Sequence, residues 1–471
     1  MPPLALSARG ALLGLALALT ATCTVPLAPK PAAETGRVEV GPEIAAFYRG
    51  RDFRPLWTDG RTLRPEAYQL ARQARSPALD RAVAAARGGE TAALVRADLL
   101  LSKAYVAYAA AQDRAPAQAD MRYVEPGLAP VARSPRALLE AAAASPASAL
   151  RRNPAYDGLV RGLARYRASW GRLPQMRVTG PGEALRRRLG AASDAEVTAR
   201  LRAFQDIHAL PVTGRADPAT IAALNRGAAH YERLIEANIA RARAIPARPG
   251  GRMVLVDTAG ARLWMIEDGR IAGSMRVIVG KEGMATPAFA STIRYAALNP
   301  YWNVPPDLIR KRAQGALRRG PGVIAAEHLE VLSDWSPGAR RLDPRRVDWR
   351  AVASGRRYVN LRQSPGPWNM MGRIKFMFDN PYGVYLHDTP LRELFDRADR
   401  RESSGCVRLE DAARLGRWLF RGRPPAPTGA AEQRVDLPDP VPVYIIYLTA
   451  IPTRDGVRFQ RDVYRRDRAV S

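Results

Sequence analysis

Apolar residues recur at helical spacing through the first half of the chain and at alternate positions through the second, so the sequence reads as helices followed by strands. Over residues 38–178, a stretch rich in Ala, Leu and Arg, the residues Leu94, Leu99, Leu100, Leu101, Tyr105 and Tyr108 mark the helical period. The spacing predicts an all-helical scaffold domain. It opens on an aromatic cluster, Phe47, Tyr48, Phe53 and Trp57, whose expected place is the core. Over residues 181–228, Leu185, Leu189, Val197, Leu201, Phe204 and Gln205 outline a three-helix bundle. Thr213-Gly214 is its turn, and Asp217-Pro218 a helix start with proline at the first helical position. A connecting helix is predicted over 229–246.

Beyond Gly250 the period shortens to two. Strands are predicted at Met253–Val256, Arg262–Ile266 and Ser274–Gly280, with turns at Ala259-Gly260 and Asp268-Gly269 between them. Further strands are expected at Ser291–Ala297, Arg373–Phe378, Gly383–Leu386 and Pro442–Leu448. This gives a mainly β domain over 251–450 and a C-terminal extension over 451–471. Residues 307–361 interrupt the pattern as a helical insertion with aromatic and aliphatic anchors, and long insertions in compact domains tend to be functional. The fold class is therefore multi-domain α+β.

With 47% apolar residues, 8 Trp and 16 Tyr in 471 residues, the chain can build several cores. The net charge of +28 comes mostly from dispersed arginines and no nucleic-acid-binding module is recognisable, so no nucleic-acid partner is expected. An anionic surface such as a cell wall or lipid headgroups fits better. Arg9 followed by the apolar run Ala11–Ala21 is too short to span a bilayer and suits a signal peptide, so residues 1–33 are predicted to be a leader plus linker. Thr20-Ala21-Thr22-Cys23 resembles a lipoprotein cleavage box, with Thr22 a poor fit to its small-residue preference. Export to the periplasm or cell envelope follows, with the leader or a lipid on Cys23 as alternative membrane anchors.

Only Cys23 and Cys406 are cysteines, so export leaves Cys406 without a partner for an internal disulfide. It stands in Ser403-Ser404-Gly405-Cys406-Val407-Arg408, downstream of Tyr385-Leu386-His387-Asp388. A thiolate is the nucleophilic form of cysteine, and an imidazole can take the thiol proton. No His/Cys pair has ligand spacing, so no metal is expected; the reaction that the family resemblance named below implies needs no cofactor. His208, His230 and His328 lack a reactive partner in sequence. Leu409, Leu415, Trp418 and Leu419 predict a helix directly after Cys406, with Glu410 and Asp411 in its first turn. On that expectation the helix dipole lowers the thiol pKa, and the backbone N–H groups of Gly405 and Cys406 form an oxyanion hole. Tyr385 shares a strand face with His387, and Arg408 can clamp a carboxylate by two hydrogen bonds.

These motifs, with Thr286-Pro287, Asn299–Pro306 and Pro365–Asn369, resemble the catalytic domain of bacterial L,D-transpeptidases of the YkuD type. The Phe-Gln, Thr-Gly and Ala-Leu-Asn elements of residues 181–228 resemble a peptidoglycan-binding module. The whole resembles the large multi-domain subgroup. The chain has Ser404 where most of the superfamily has histidine, which leaves His387 as the base. The resemblance implies a cysteine acyltransferase: Cys406 forms a thioester with a tetrapeptide stem, releases D-alanine, and passes the stem to an amine of another stem. Peptidoglycan stems and glycan strands are then the partners, Arg408, Tyr385 and Ser404 the substrate-binding candidates, and 307–361 a cap over the groove. The alternatives are a carboxypeptidase or amidase that uses water as acceptor, and a non-catalytic wall-binding scaffold.

Overall fold

The structure, a computed structural model, describes residues 38–74, 76–113, 121–150, 152–246 and 251–467. The predicted leader and Cys23 lie outside them. Among the described residues no helix is long and apolar enough to cross a membrane. The chain divides into two compact units, one formed by residues up to Gln112 together with Ala132–Leu150, the other by Asp113–Val131 and the residues after Leu150.

In the first unit, helices Pro42–Arg49, Pro65–Ala74, Pro77–Ala85, Thr91–Gln112 and Pro135–Ala144 surround one core. Four of them begin with proline, which lacks the N–H that a first turn leaves unpaired. Trp57 and Tyr105 are fully buried, as are Leu70, Leu101, Leu138 and Leu139. The aromatic cluster is therefore core, except Phe53, which is exposed. Asp98 fixes it from beneath, taking hydrogen bonds from the Tyr48 hydroxyl and from the N–H groups of Leu56 (3.0 Å) and Trp57 (2.5 Å).

This unit is smaller than the helical periodicity suggested. Helix Pro154–Ala168 packs with the second unit, and Arg122–Tyr123 pairs in parallel with Phe289–Ala290 of the large sheet. Periodicity identifies a helix but does not say which core its apolar face joins.

The module helices Glu183–Leu189, Asp194–Ile207 and Pro218–Asn225 form as expected, and Asp217 caps the third by accepting the Thr220 N–H at 2.8 Å. The buried Gln205 amide ties the turn together, donating to Thr213 Oγ1, Arg215 O and Thr220 Oγ1 and accepting from Gly214 N–H. The connecting helix runs Gly227–Ala242. The bundle does not close on itself. Tyr156, Leu159 and Leu163 of Pro154–Ala168 and Val457 and Phe459 of a hairpin (Ala450–Thr453, Gly456–Phe459) complete its core. Residues 451–467 are thus structural rather than an appendage, and excising 182–227 removes part of a shared core.

The mainly β domain is one ten-stranded mixed sheet. Its principal strands are Arg252–Asp257, Arg262–Glu267, Arg270–Gly280, Phe289–Leu298, Ile374–Phe378, Leu386–His387, Val407–Leu409 and Gln433–Ile446. Alternate residues such as Val254, Val256, Leu263, Val277, Phe376, Leu386, Val407 and Leu409 fill one face. The insertion is more than helical. Leu329–Leu332, Arg341–Leu342 and Asn360–Gln363 join Trp302–Asn303 in a second, four-stranded sheet, covered by helices Pro306–Arg319 and Trp349–Ala353 around a separate core.

Candidate active site

Leu386–His387 and Val407–Leu409 are neighbouring parallel strands, with Leu386 opposite Val407 and His387 opposite Arg408. The Val407 N–H donates to Tyr385 O at 3.1 Å, so the register continues back to Tyr385 and Cys406. Because side chains alternate, Val384, Leu386, Val407 and Leu409 point into the core, and Tyr385, His387, Cys406 and Arg408 share the opposite face. Lys375, opposite His387 on the next strand, joins them.

The predicted helix after Cys406 is displaced. Val407–Leu409 is a strand, and the helix begins only at Ala412, capped by Asp411. Two core residues two positions apart, Val407 and Leu409, impose the extended backbone, so Cys406 gains nothing from a helix dipole. Burial pushes its thiol pKa up, against the lowering effects of hydrogen bonds from Tyr385 and of the Arg408 and Lys375 cations. The expectation of a depressed pKa is reversed. Alkylation of Cys406 by iodoacetamide should therefore titrate above a free cysteine and run slower than a model thiol at pH 7. An inflection at or below that of the model thiol would contradict it.

His387 is buried, and its Nδ1 donates to Asp388 O at 2.5 Å. A carbonyl can only accept, so Nδ1 carries the proton and Nε2 keeps its lone pair. Burial, with the Arg408 and Lys375 cations adding to it, pushes the imidazole down to about 3. At neutral pH the pair is a thiol and a neutral imidazole. Among the described residues Cys406 Sγ bonds Gly383 O (3.6 Å) and Tyr385, with no hydrogen bond to His387. Catalytic hydrogen bonds often tighten only once substrate is bound.

Asp388 anchors the segment in turn. Its carboxylate accepts the Arg373 N–H at 2.9 Å and pairs with Arg392. Tyr385 sits 6.0 Å from the His387 ring, centroid to centroid, and packs against both the large core and the insertion. Lys375 is neutralised by Glu432 at 2.9 Å, whereas Arg408 has no carboxylate within ion-pair distance among the described residues.

The turn before Cys406 is held by Ser403 and Thr286, residues to which the sequence reading gave no role of their own. Ser403 is buried, and its Oγ donates to Cys406 O (2.6 Å) and accepts the Gly405 N–H (3.1 Å). Gly405 is therefore committed and cannot be an oxyanion donor, which leaves the Cys406 N–H of the expected pair. Gly405 has φ +117°, a conformation that excludes residues with a Cβ. Thr286 Oγ1 donates to Gly405 O (2.8 Å) and accepts from Gly280 N–H (2.9 Å). Gly280 is fixed in turn by the Tyr464 hydroxyl on its carbonyl (2.6 Å). The Ser404 hydroxyl contacts Asp307 at 3.4 Å, so the first turn of the insertion meets the turn that holds Cys406. Of the remaining histidines, His208 stacks on Phe204 (3.8 Å) inside the bundle and His328 stacks on Trp368 (3.6 Å).

Residues 251–443 match the family model "L,D-transpeptidase catalytic domain" (YkuD), residues 42–163 the "Scaffold domain", and residues 190–224 the "Putative peptidoglycan binding domain". A curated protein of Haemophilus influenzae named "Putative L,D-transpeptidase" is 30% identical over 241 residues. That alignment covers 50% of this chain and 48% of the relative, so the chain spans about half the length of the curated relative it matches. Among solved structures, an L,D-transpeptidase from Mycobacterium smegmatis is 15% identical, covering 41% of this chain and 58% of its own at a TM-score of 0.20. One from Stackebrandtia nassauensis is 15% identical, covering 63% and 92% at a TM-score of 0.21. These structural likenesses are too slight to bear on the chemistry.

Proposed function

We propose, from the match of residues 251–443 to the family model of the YkuD-type L,D-transpeptidase catalytic domain, that the protein cross-links peptidoglycan by acyl transfer through Cys406. The observation that carries this reading is the shared face on which the Leu386–His387 and Val407–Leu409 strands bring Cys406, His387 and Arg408 together.

His387 Nε2 takes the proton of the Cys406 thiol as sulfur attacks the carbonyl between the diamino acid and the terminal D-alanine of a tetrapeptide stem. The Cys406 N–H supports the oxyanion. The tetrahedral adduct collapses, the imidazolium returns its proton to the departing amine, and D-alanine leaves a thioester on Cys406. An amine of a second stem then attacks, loses its proton to His387 Nε2, and expels the thiolate, which recovers that proton. The cycle uses no cofactor. Arg408, lacking a carboxylate of its own, receives the stem carboxylate, and Tyr385 lines the pocket beside it. Ser404 acts through Asp307, linking the insertion to the site. The insertion over 307–361 caps the groove, keeping water from the thioester so that the amine prevails. The protein acts in the cell envelope after export.

Mass spectrometry of purified tetrapeptide stems incubated with the protein tests this. The expected product is a dimer lighter by one D-alanine than two stems. A shortened monomer alone would make the protein a carboxypeptidase, and unchanged stems would overturn the enzymatic reading.

A further inference from the structure

Gly405 is held at both of its backbone polar groups, its N–H by Ser403 Oγ (3.1 Å) and its carbonyl by Thr286 Oγ1 (2.8 Å). Both holders rest on one dipeptide. The Gly280 N–H donates to Thr286 Oγ1 at 2.9 Å, and the Lys281 N–H donates to Ser403 O at 2.9 Å. Gly280-Lys281 is thus a platform under the turn that presents Cys406. It is packed too closely for a side chain at its first residue: a Cβ on Gly280 would lie 2.0 Å from Met284 O and 2.7 Å from the Thr286 nitrogen.

The Gly280 carbonyl accepts from the Tyr464 hydroxyl at 2.6 Å. Tyr464 stands beyond the end of the matched catalytic segment, residues 251–443. It is nevertheless firmly placed. Its ring stacks on Tyr447, with 5.4 Å between centroids and 23° between planes, and its N–H donates to the Tyr447 hydroxyl at 2.9 Å. That hydroxyl donates to Asp462 (2.6 Å), which also accepts the N–H groups of Arg466 (2.9 Å) and Asp467 (2.9 Å). Tyr447 directly follows the strand Gln433–Ile446, so the phenol is fixed to the main sheet.

We propose that Tyr464 is a positioning residue for acyl transfer, its hydroxyl acting through Gly280 and Thr286 to hold the turn that aims Cys406 Sγ at the substrate carbonyl. The inference rests on the reading that Cys406 is the acyl-transfer nucleophile. The hydroxyl touches no reacting atom, so its loss should cost rate and spare affinity.

The test is acylation of Cys406 in the full-length protein by a carbapenem, followed by mass against drug concentration. Tyr464→Phe deletes the hydroxyl and keeps the ring on Tyr447. At saturating drug it is expected to slow acylation about ten- to a hundredfold, the scale of a misplacement of about 1 Å, with the half-saturating concentration within about twofold of the parent's. A residue that only stabilised the fold would lower the melting temperature and leave the saturated rate, measured below the transition, unchanged. Thr286→Val should cause the same loss, and Thr286→Ser, which keeps a hydroxyl, should retain the parent's rate. Because both changes cut one path, Tyr464→Phe/Thr286→Val should be no slower than the slower single variant. A saturated rate for Tyr464→Phe within twofold of the parent would overturn the proposal, as would losses that multiply in the double variant. Should Tyr464→Phe fail to fold, a Thr286→Val protein as fast as Thr286→Ser would overturn it equally. A parent protein acylated by neither carbapenem nor tetrapeptide would overturn the transfer reading and the inference with it, whereas an acylated parent with an equally fast variant would overturn the role of Tyr464 alone.

Discussion

His387→Asn should slow acylation of Cys406 by about 10²- to 10⁴-fold, the usual contribution of a positioned general base. Asparagine is chosen because its Nδ2 replaces Nδ1 as the donor to Asp388 O, while nothing replaces the Nε2 lone pair. The local fold is therefore preserved and the base alone is removed. Acylation is followed as the mass gained from a carbapenem, a reactive acyl donor, and as turnover of tetrapeptide. The effect should persist across pH 6–9, because an imidazole pushed down to about 3 is already neutral throughout that range. A variant within threefold of the parent would remove His387 from the mechanism, and a variant that melts early would call for the same measurement below its transition.

Acidification from about pH 7 to pH 4 should cost the second unit several kcal/mol of stability. His387 and His208 are both buried, and burial pushes each down to about 3. In the unfolded chain both titrate near 6.5. A histidine whose folded pKa is depressed binds its proton first in the unfolded state, so stability is full above about 6.5 and falls continuously toward about 3. Each histidine contributes a slope of about 1.4 kcal/mol per pH unit over that window. Asp257 opposes them. Burial pushes its carboxyl up to about 6, so it favours the folded state as pH falls from about 6 to about 4. Two protons against one leave a net loss. Melting temperature measured against pH should drop below pH 6, and His208→Asn, which keeps a donor to Phe204 O, should make the drop shallower. A melting temperature flat between pH 7 and 4.5 would show that the two imidazoles are not held neutral.

The residues proposed to carry the chemistry were legible because they are local. Tyr385 to Asp388 alternate on one strand, and Cys406 sits in a run whose Ser, Gly and Arg neighbours match a known family. What was missed is non-local. Val407-Arg408-Leu409 carries a period-two signal, but Leu409 also begins a helical period with Leu415 and Leu419, and only pairing with Leu386–His387 and Arg270–Gly280 decides for the strand. The thiol pKa followed the same error, since without the helix burial dominates. Helix Pro154–Ala168 and the hairpin Ala450–Phe459 read as scaffold and extension, because nothing in a period says which partner an apolar face will find. The insertion's strands, such as Leu329–Leu332 against Asn360–Gln363, are too short to show a period, and each pairs with a segment far away in sequence. The commitment of Gly405 N–H to Ser403 Oγ depends on turn geometry that composition does not encode.

The chain Tyr464–Gly280–Thr286–Gly405 makes the order of synthesis matter. Cys406 and His387 emerge and can pair into the sheet well before Tyr464 exists, yet the turn that aims the thiol is not locked until that later segment has folded back over the loop at Gly280. Arg241, which holds both Asp467 and Arg466 O, ties the same lock to the helix that follows the bundle. A nascent or nicked chain ending before residue 460 would therefore carry both reactive side chains and still lack an aimed nucleophile.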